Sequence, residues 1–284
     1  MTALVVRFGE SVASVVPITT GFANSSFNVT CKSGRRLVLT VLDNHDERSA
    51  QRLVALTDWL VARGVRTPAI LRDEDDLPLQ RLDHSVCIMR PFQSGVQPEW
   101  LSREQVGTVG SALASIHQLG VPSGLGLPSR RLPLNWRSAL TSAPSDLVAL
   151  VEEADDVFDP HSESFVCLLH GDLFPDNMIW DDAGLLHILD WETASIDCPD
   201  LDLGFTLVGL TGGGPLGKGI LESLLSGYDR NRTGEHDEVL GAARYACAVL
   251  AFQRYSRHVL RYPNREKTDF WRELMPFAKS LDAI

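Results

Sequence analysis

The residues with the clearest chemical potential lie close together in the second half of the chain. Asp172 and Asn177 are five residues apart, and Asp190 ends an apolar run over residues 185–189. In a phosphoryl-transfer loop with this spacing, the Asp accepts the proton of a hydroxyl group and the Asn binds magnesium. The sequence therefore predicts Asp172 as a general base, and Asn177 and Asp190 as ligands of Mg²⁺.

Two short strands are expected to bring these side chains together. Residues 178–180 and 185–189 are apolar runs, and the Asp- and Gly-rich residues 181–184 between them are typical of a turn. A hairpin of this kind would return Asp190 to the neighbourhood of Asn177. Mg²⁺ prefers oxygen ligands in octahedral geometry, so an amide oxygen, a carboxylate and the phosphates of ATP make a suitable ligand set.

The same segment resembles the catalytic motif of the aminoglycoside phosphotransferase and choline kinase superfamily. Residues 170–177 read His-Gly-Asp-Leu-Phe-Pro-Asp-Asn, a wording that is most similar to the type II homoserine kinases. Residues 197–203 resemble the Asp-Pro-x-x-Asp-Leu segment of the superfamily. The resemblance implies that Asp202 braces the catalytic loop from a helix start and that His170 supports it structurally.

This resemblance implies an α+β, bilobal, protein-kinase-like fold. Residues 1–90 would form a small nucleotide-binding lobe with an antiparallel sheet and one helix, residues 91–97 a hinge, and residues 98–284 a larger, mainly helical catalytic and substrate lobe. The residue patterns agree with that division. Strand-like runs occupy residues 12–18, 27–31, 36–42 and 86–89, a helical pattern spans residues 47–63, and mostly helical patterns follow Leu101.

Nucleotide binding is predicted for two segments of the small lobe. The polar residues 19–27 lie between two strands, where backbone N–H groups and hydroxyls suit phosphates; a plain polar hairpin is the alternative. The backbone around residues 89–92 is expected to hold ATP as well. The predicted nucleotide-binding residues are Gly21, Asn24, Ser25, Ser26, Thr40, Met89, Arg90 and Phe92.

Thr40 marks a departure from most kinases. The strand after the nucleotide loop conventionally carries a Lys that pairs with a helix Glu, but this chain has Thr40 and Leu53 at those points. Losing both partners avoids leaving one buried charge unpaired. The pair Leu39-Thr40 also resembles the type II homoserine kinases at this strand.

Candidates for substrate binding follow the catalytic motif. Glu192 comes directly after Asp190 and Trp191, and is either a substrate contact or a surface acid. Arg254 lies ten residues after Arg244, and Arg257 lies thirteen residues after it. Both separations are near whole turns of a helix. They either form a solvated basic stripe or hold a carboxylate, which would suit an amino alcohol better than a polycationic aminoglycoside.

Composition narrows the class of protein. The chain has 284 residues, 44% of them apolar, with a net charge of −11 and a pI near 5.2. The acidic balance argues against nucleic acid or an anionic membrane as partner. Five scattered cysteines without a Cys-x-x-Cys pair indicate reduced core residues. No apolar stretch reaches 18 residues, so the cytoplasm is the expected location.

The sequence therefore predicts an ATP- and Mg²⁺-dependent kinase of a small hydroxylated molecule. The resemblance favours homoserine or a related amino alcohol, with an antibiotic or another natural product as the alternative acceptor. A catalytically silent nucleotide-binding module is the alternative of another class, supported by Thr40 and opposed by the complete set of Asp172, Asn177 and Asp190. Residues 212–218 fit the P-loop spacing, but Gly219 replaces the required Ser or Thr, so an interhelical loop is predicted there.

Overall fold

The computed structural model describes residues 2–19, 24–158, 166–228, 236–264 and 266–284. The chain forms two compact units. The first comprises Met1–Val96, Pro122–Gly126 and Ile179–Glu192, and the second comprises Gln97–Val121, Leu127–Met178 and Thr193–Ile284. The hinge over residues 91–97 stays a prediction. Gly21, which was assigned to nucleotide binding, lies outside the described residues.

The secondary structure follows the predicted change from strands to helices. The strands, in chain order, are β1 (Val12–Ile18), β2 (Ser25–Cys31), β3 (Arg36–Val41), β4 (Gln80–Leu82), β5 (Ser85–Pro91), β6 (Cys167–Leu169), β7 (Met178–Trp180), β8 (Leu186–Ile188) and β9 (Ser195–Asp197). The helices are α1 (Thr2–Val6), α2 (Glu47–Val61), α3 (Arg103–His117), α4 (Trp136–Ala139), α5 (Ser145–Val157), α6 (Pro199–Leu210), α7 (Lys218–Tyr228), α8 (His236–Tyr255) and α9 (Met275–Ser280). Short 3-10 turns cover Pro175–Asn177, Phe270–Leu274 and Leu281–Ala283, and a π-helical segment, Ser256–Arg261, continues α8.

The first unit is built on an antiparallel sheet with the strand order β1-β2-β3-β5-β4. Successive side chains of a strand point to opposite faces. Leu37, Leu39 and Met89 belong to the hydrophobic cluster on one face. Because Val38 pairs with Arg90 across β3 and β5, Thr40 and Arg90 share the other face. The sheet therefore has one apolar face and one face that carries polar side chains.

Two helices belong to the first unit. In α2, the side chain of Asp46 accepts a hydrogen bond of 2.8 Å from the backbone of Ser49, which caps the helix N-terminus. Helix α1 is an addition to the single helix predicted for this lobe, and its Leu4 and Val5 join the hydrophobic cluster of the sheet. With five residues, α1 is too short to show a helical repeat in the sequence.

The predicted hairpin before Asp190 is present. Strands β7 and β8 form a two-stranded sheet, and the backbone of Asp181 donates to the carbonyl of Leu185 at 3.0 Å to close the turn. The side chain of Asp181 accepts from the backbone N–H groups of Ala183 and Leu185. These local bonds explain why the Asp- and Gly-rich sequence turns here.

The second unit is mainly helical. Strands β6 and β9 pair antiparallel, with Leu169 opposite Ser195. Helix α6 is apolar around most of its circumference, and all its residues are buried, as expected for a helix at the centre of a core. The predicted catalytic loop begins directly after β6, and α6 carries Asp202.

Helices α3 and α7 of this unit approach each other at backbone distance. A Cβ atom added to Gly110 would lie 2.1 Å from the carbonyl oxygen of Leu224, and one added to Gly227 would lie 1.8 Å from the carbonyl oxygen of Gly107. Side chains larger than hydrogen do not fit at these two positions unless the helices move apart. The close packing fixes the spacing of the two helices.

The five cysteines are free and buried, so they pack as core residues. Within the residues that the structure describes, we find no helix with the length and apolar character needed to cross a membrane.

Candidate active site

The predicted catalytic loop leaves β6 and turns sharply. Gly171 has a φ of +77°, a conformation that glycine adopts readily, and a Cβ atom there would lie 2.9 Å from the carbonyl oxygen of Thr193. Pro175 begins the 3-10 turn that ends at Asn177. The Nδ2 atom of Asn177 donates to the backbone oxygen of Asp172 at 2.8 Å and to its Oδ2 at 3.3 Å. The spacing of five residues thus produces a direct contact.

Asp202 holds the start of this loop from α6. Its carboxylate accepts hydrogen bonds from the backbone N–H groups of His170 at 2.8 Å and Gly171 at 2.7 Å. The same carboxylate lies 3.1 Å from Nε2 of His117. Burial opposes the charge on Asp202, but the hydrogen bond with His117 and the loop N–H groups outweigh it and lower the pKa of the carboxyl.

His117 extends this support to a second helix. It is the last residue of α3, and its Nδ1 lies 2.8 Å from the hydroxyl of Tyr228 at the end of α7. Tyr228, His117 and Asp202 therefore form a continuous hydrogen-bonded chain that ends on the backbone of the catalytic loop.

Arg130 is a site residue that the sequence did not indicate. Its Nε and Nη2 donate to the carbonyl oxygen of Gly171 at 3.2 Å and 2.8 Å, and its Nη2 lies 3.6 Å from Oδ1 of Asp172. Its Nη1 donates to Gln253 at 2.8 Å, and the guanidinium lies over the ring of Phe205. Arg130 is 41 residues from Gly171 in the sequence and has no motif around it.

The surroundings of Asp172 favour proton acceptance. Burial raises the pKa of Asp172, while the nearby Arg130 and His170 oppose the rise. A general base with a pKa above the ordinary aspartate value removes a proton more effectively near neutral pH. Arg130 keeps a positive charge beside the carboxylate, so that the ionised form of Asp172 is retained.

Asn177 has the chemistry of a Mg²⁺ ligand. Its described hydrogen bonds use the amide nitrogen, which donates to Asp172. The amide oxygen is the atom that remains to coordinate a cation. A hard cation prefers oxygen ligands such as amide and carboxylate groups, so the amide oxygen of Asn177 is of the kind that fits Mg²⁺.

Asp190 stands in an unusual backbone conformation in the first unit. It lies just after β8 and has a φ of +54°, in the left-handed region. Residues other than glycine seldom adopt this conformation, and Asp and Asn do so most readily. Such a conformation costs about 1 kcal/mol or more and is frequent at functional sites.

Glu192 joins two parts of the first unit. One carboxylate oxygen accepts a hydrogen bond from the amide of Asn24, and the other lies 3.1 Å from Nε2 of His45. The hydrogen bond to Glu192 raises the pKa of His45. The described contacts of Glu192 are to Asn24 and to His45, and its role at the substrate stays a prediction.

The other predicted nucleotide residues lie around the sheet. The hydroxyls of Ser26 and Thr40 are 3.2 Å apart, and the backbone and hydroxyl of Ser25 both donate to Asp43. Arg90 shares the face of the sheet that carries Thr40.

The two remaining predicted nucleotide residues use their backbone groups inside the unit. The carbonyl of Met89 accepts from the N–H of Leu71 at 2.7 Å, and the N–H of Phe92 donates to Arg36 at 3.1 Å. The Met89 side chain points into the hydrophobic cluster. The N–H of Phe92 is therefore not available to an adenine ring.

The three predicted substrate arginines have different surroundings. Arg254 is partly buried, and its guanidinium lies 4.2 Å from the ring of Phe270 and 3.6 Å from the carboxylate of Glu273. Burial lowers the pKa of Arg254, and the charges of Glu273 and Asp172 oppose this effect. Arg244 pairs with Asp282 near the surface. Helix α8 ends at Tyr255, so Arg257 falls in the π-helical segment and is exposed. Of the three, Arg254 is the one placed near the predicted base.

The P-loop alternative fails on its structural context. Helix α6 precedes Gly212, whereas a P-loop follows a strand. The carbonyl of Gly213 accepts from the N–H of Phe277 at 3.0 Å, which packs this segment against α9. Residues 211–217 are the interhelical loop that the sequence predicted.

Comparison with known proteins identifies the family of this chain. The model of a family described as "Phosphotransferase enzyme family" matches residues 14–237. The homoserine kinase of Pseudomonas aeruginosa is 28% identical over 205 residues, which cover 67% of this chain and 62% of that protein. This chain therefore spans less than two thirds of the length of that relative.

Solved structures show the same fold. An amicoumacin kinase in complex with AMP-PNP, Ca²⁺ and Ami has a TM-score of 0.71 at 13% identity, over 95% of this chain and 88% of that chain. A choline/ethanolamine kinase family protein from Mesorhizobium loti has a TM-score of 0.61 at 17% identity, over 95% and 92%. These likenesses confirm the predicted α+β, protein-kinase-like fold.

Proposed function

The chain belongs to the phosphotransferase enzyme family, and we propose that it is an ATP- and Mg²⁺-dependent kinase of a small hydroxylated molecule. The observation that carries this proposal is the geometry of the catalytic loop. Asp172 is contacted by the amide of Asn177, lies beside Arg130, and has a raised pKa. A carboxylate held in this way suits the removal of a proton from an acceptor hydroxyl.

The roles of the chain's own groups follow from these contacts. Asp172 accepts the hydroxyl proton, Asn177 fixes the direction of the Asp172 carboxylate, and Arg130 holds the loop through the carbonyl of Gly171. The sequence motif supports Asn177 and Asp190 as the ligands of Mg²⁺. A bound Mg²⁺ would offset negative charge on the transferred phosphoryl group.

Homoserine or a related amino alcohol is the favoured acceptor. The similarity to homoserine kinases supports this choice, and so does the partly buried Arg254, on which the charge of Asp172 acts. A guanidinium binds a carboxylate through two parallel hydrogen bonds, and an amino acid alcohol carries a carboxylate next to its hydroxyl-bearing chain.

An antibiotic or another natural product is the second candidate acceptor. The observation that favours it is the likeness of fold to an amicoumacin kinase. A silent nucleotide-binding module is the alternative of another class, because Thr40 and Leu53 stand where a kinase carries Lys and Glu. The intact contacts around Asp172 oppose that alternative, since a module without catalysis has no chemical need for them.

A coupled ADP-release assay tests the proposal. Mg²⁺·ATP is supplied with L-homoserine, choline, ethanolamine, L-serine, kanamycin or a sugar, and the Asp172→Asn variant serves as the matched control. Turnover with homoserine supports the favoured acceptor. Turnover with another acceptor retains the mechanism and changes the substrate. ATP binding without turnover on any acceptor would favour the silent module.

A further inference from the structure

The first unit lacks the cation that kinases usually carry beside the nucleotide phosphates. The conventional Lys lies on the third strand of the sheet, where this chain has Thr40 on β3. The hydroxyl of Thr40 lies 3.2 Å from that of Ser26, and neither group brings a positive charge. The face of the sheet that carries Thr40 must obtain its cation elsewhere if it binds phosphates.

Arg90 brings a positive charge to that same face from the neighbouring strand. Val38 pairs with Arg90 on one side and with Asn28 on the other, so the three residues form a row across β2, β3 and β5. The adjacent row contains Ser26 and Thr40. Arg90 is therefore one row from the position of the conventional Lys, on the same side of the sheet.

Among the described residues, the Arg90 guanidinium makes no hydrogen bond and no ion pair. Desolvation lowers the pKa of Arg90, and the more distant charges of Asp190 and Glu192 oppose this effect. Arg90 is partly buried, and a partly buried cation without hydrogen bonds costs free energy. An anion bound at Arg90 would remove that cost.

Three buried polar atoms of the first unit are also unpaired. Oδ1 of Asn28, Oδ1 of Asn24 and Nδ1 of His45 are buried and have no hydrogen-bond partner among the described residues. Asn28 lies in the same row as Arg90. Buried polar atoms are normally hydrogen-bonded in a finished structure. Asn28 and Arg90 therefore place two unpaired polar groups in one row of the sheet.

Glu192 is held close to this region but does not neutralise Arg90. Its two carboxylate oxygens are engaged by Asn24 and His45. These contacts tie residue 24, at the end of the predicted nucleotide loop, to the segment that carries Asp190. Asn24 and His45 therefore fix the position of the Glu192 carboxylate, and no ion pair with Arg90 is needed for it.

We propose that Arg90 is the phosphate-binding cation of this chain, moved from β3 to β5, and that Glu192 positions Asn24, just before β2, in place of the conventional helix Glu. This inference rests on the proposed function, since it assumes that the first unit binds ATP. The guanidinium would bind phosphate oxygens of the nucleotide, and Asn28 would contribute to the same polar face.

Calorimetric titration of the full chain with Mg²⁺·ATP, Mg²⁺·ADP and adenosine tests the role of Arg90. Arg90→Met is expected to weaken ATP binding about 10- to 100-fold, because hydrogen bonds to a charged group are lost, with adenosine affinity unchanged. Arg90→Lys should recover part of the loss. Arg81→Met, at an exposed position of β4, is the matched control and should bind ATP like the wild type.

Two results would overturn the inference. One is ATP affinity of Arg90→Met equal to that of the wild type, and the other is an equal loss for ATP and adenosine. If Arg90→Met does not fold, Arg90→Gln, which keeps a polar side chain, gives the same measurement. A wild-type chain that binds no Mg²⁺·ATP and turns over no acceptor would refute the proposed function itself.

The positioning role of Glu192 has a separate readout. Glu192→Gln removes the charge that holds His45 and is expected to raise the KM for ATP about 10-fold, with a smaller change in kcat. A fall in kcat alone, with an unchanged KM for ATP, would contradict the positioning role.

Discussion

The two polar regions of this molecule are built in opposite ways. Around the catalytic loop, the chain supplies both partners of each main hydrogen bond, from Tyr228 through His117 to Asp202 and the loop backbone. On the sheet of the first unit, the Arg90 guanidinium and the buried oxygen of Asn28 have no hydrogen-bond partner among the described residues. The catalytic loop is held by bonds within the chain, whereas the groups on the sheet are left for a ligand.

This difference separates two kinds of functional requirement. A base must stand in the correct geometry before the acceptor arrives, and a hydrogen-bonded frame provides such preorganisation. A nucleotide site must release its product, so it gains from groups that are satisfied only while the nucleotide is bound. We therefore expect variants near Asp172 to change kcat or stability, and variants on the sheet to change nucleotide affinity.

The largest expected effect is on the rate. Replacing Asp172 with Asn removes the base and should lower kcat about 10²- to 10⁴-fold, a rise of ~3–5 kcal/mol in the barrier. The affinity for Mg²⁺·ATP should stay close to that of the wild type. Steady-state kinetics and calorimetry measure the two quantities. A wild-type rate would remove Asp172 from the mechanism.

A comparable loss is expected in the free energy of unfolding when Asp202 becomes Asn. An amide presents one acceptor and two donors, so it cannot accept from both His170 and Gly171 while facing His117. Breaking a buried charged network in this way costs about 3–5 kcal/mol. Denaturant unfolding measures it, and a double-mutant cycle with His117→Gln isolates the shared contribution. Strict additivity would show that the two residues act independently.

Arg130→Met is expected to have the next largest effect on kcat. The loss of the hydrogen bonds to Gly171 and of the charge beside Asp172 should lower kcat about 10- to 100-fold, while ATP affinity is retained. Arg130→Lys should recover little, because an ammonium cannot reproduce the fork of a guanidinium. The exposed Arg137→Met in the same unit is the matched control. A change in ATP affinity with an unchanged kcat would contradict the role of Arg130 at the catalytic loop.

A smaller effect concerns stability and pH. The pKa of Asp172 is raised by burial, so the folded state binds its proton more tightly than the unfolded state does. Stability is greatest below the unfolded pKa and falls as the pH rises through the folded pKa. Asp172→Asn should therefore raise Tm at pH 7, and the gain should disappear in acid. A Tm difference that does not vary with pH would contradict the shift.

The smallest expected effect is at the loop that imitates a P-loop. Lys218 begins α7, after the turn that packs on α9. Lys218→Ala should leave the affinity for Mg²⁺·ATP unchanged within error. A clear loss would move the phosphate site away from the sheet.

The sequence predicted the elements that depend on neighbours in the chain. Strand β1 has the predicted bounds, α2 ends within two residues of the predicted stop, and the hairpin of β7 and β8 is present. Hydrophobic repeats, turn residues and the spacing of Asp172 and Asn177 are local signals, so they can be found without knowledge of the tertiary structure.

The missed features depend on contacts between distant parts of the chain. Arg130 meets a loop 41 residues away, and Glu192 meets His45 across 147 residues. Neither contact leaves a repeat or a motif in the sequence. Glu192 was recognised as a polar residue near the site, but only packing determines which group it contacts. Helix α1 escaped prediction because five residues give no repeat.

The close approach of α3 and α7 makes the protein sensitive to substitutions at positions that do not touch a reacting atom. His117 and Tyr228 are the last residues of these two helices, and Gly110 and Gly227 leave no room for a methyl group between them. In a screen of random variants, alanine at either glycine would appear among the inactivating alleles, although neither position touches a reacting atom. A damaged hydrogen-bonded chain, rather than a blocked active site, would be the lesion in such alleles.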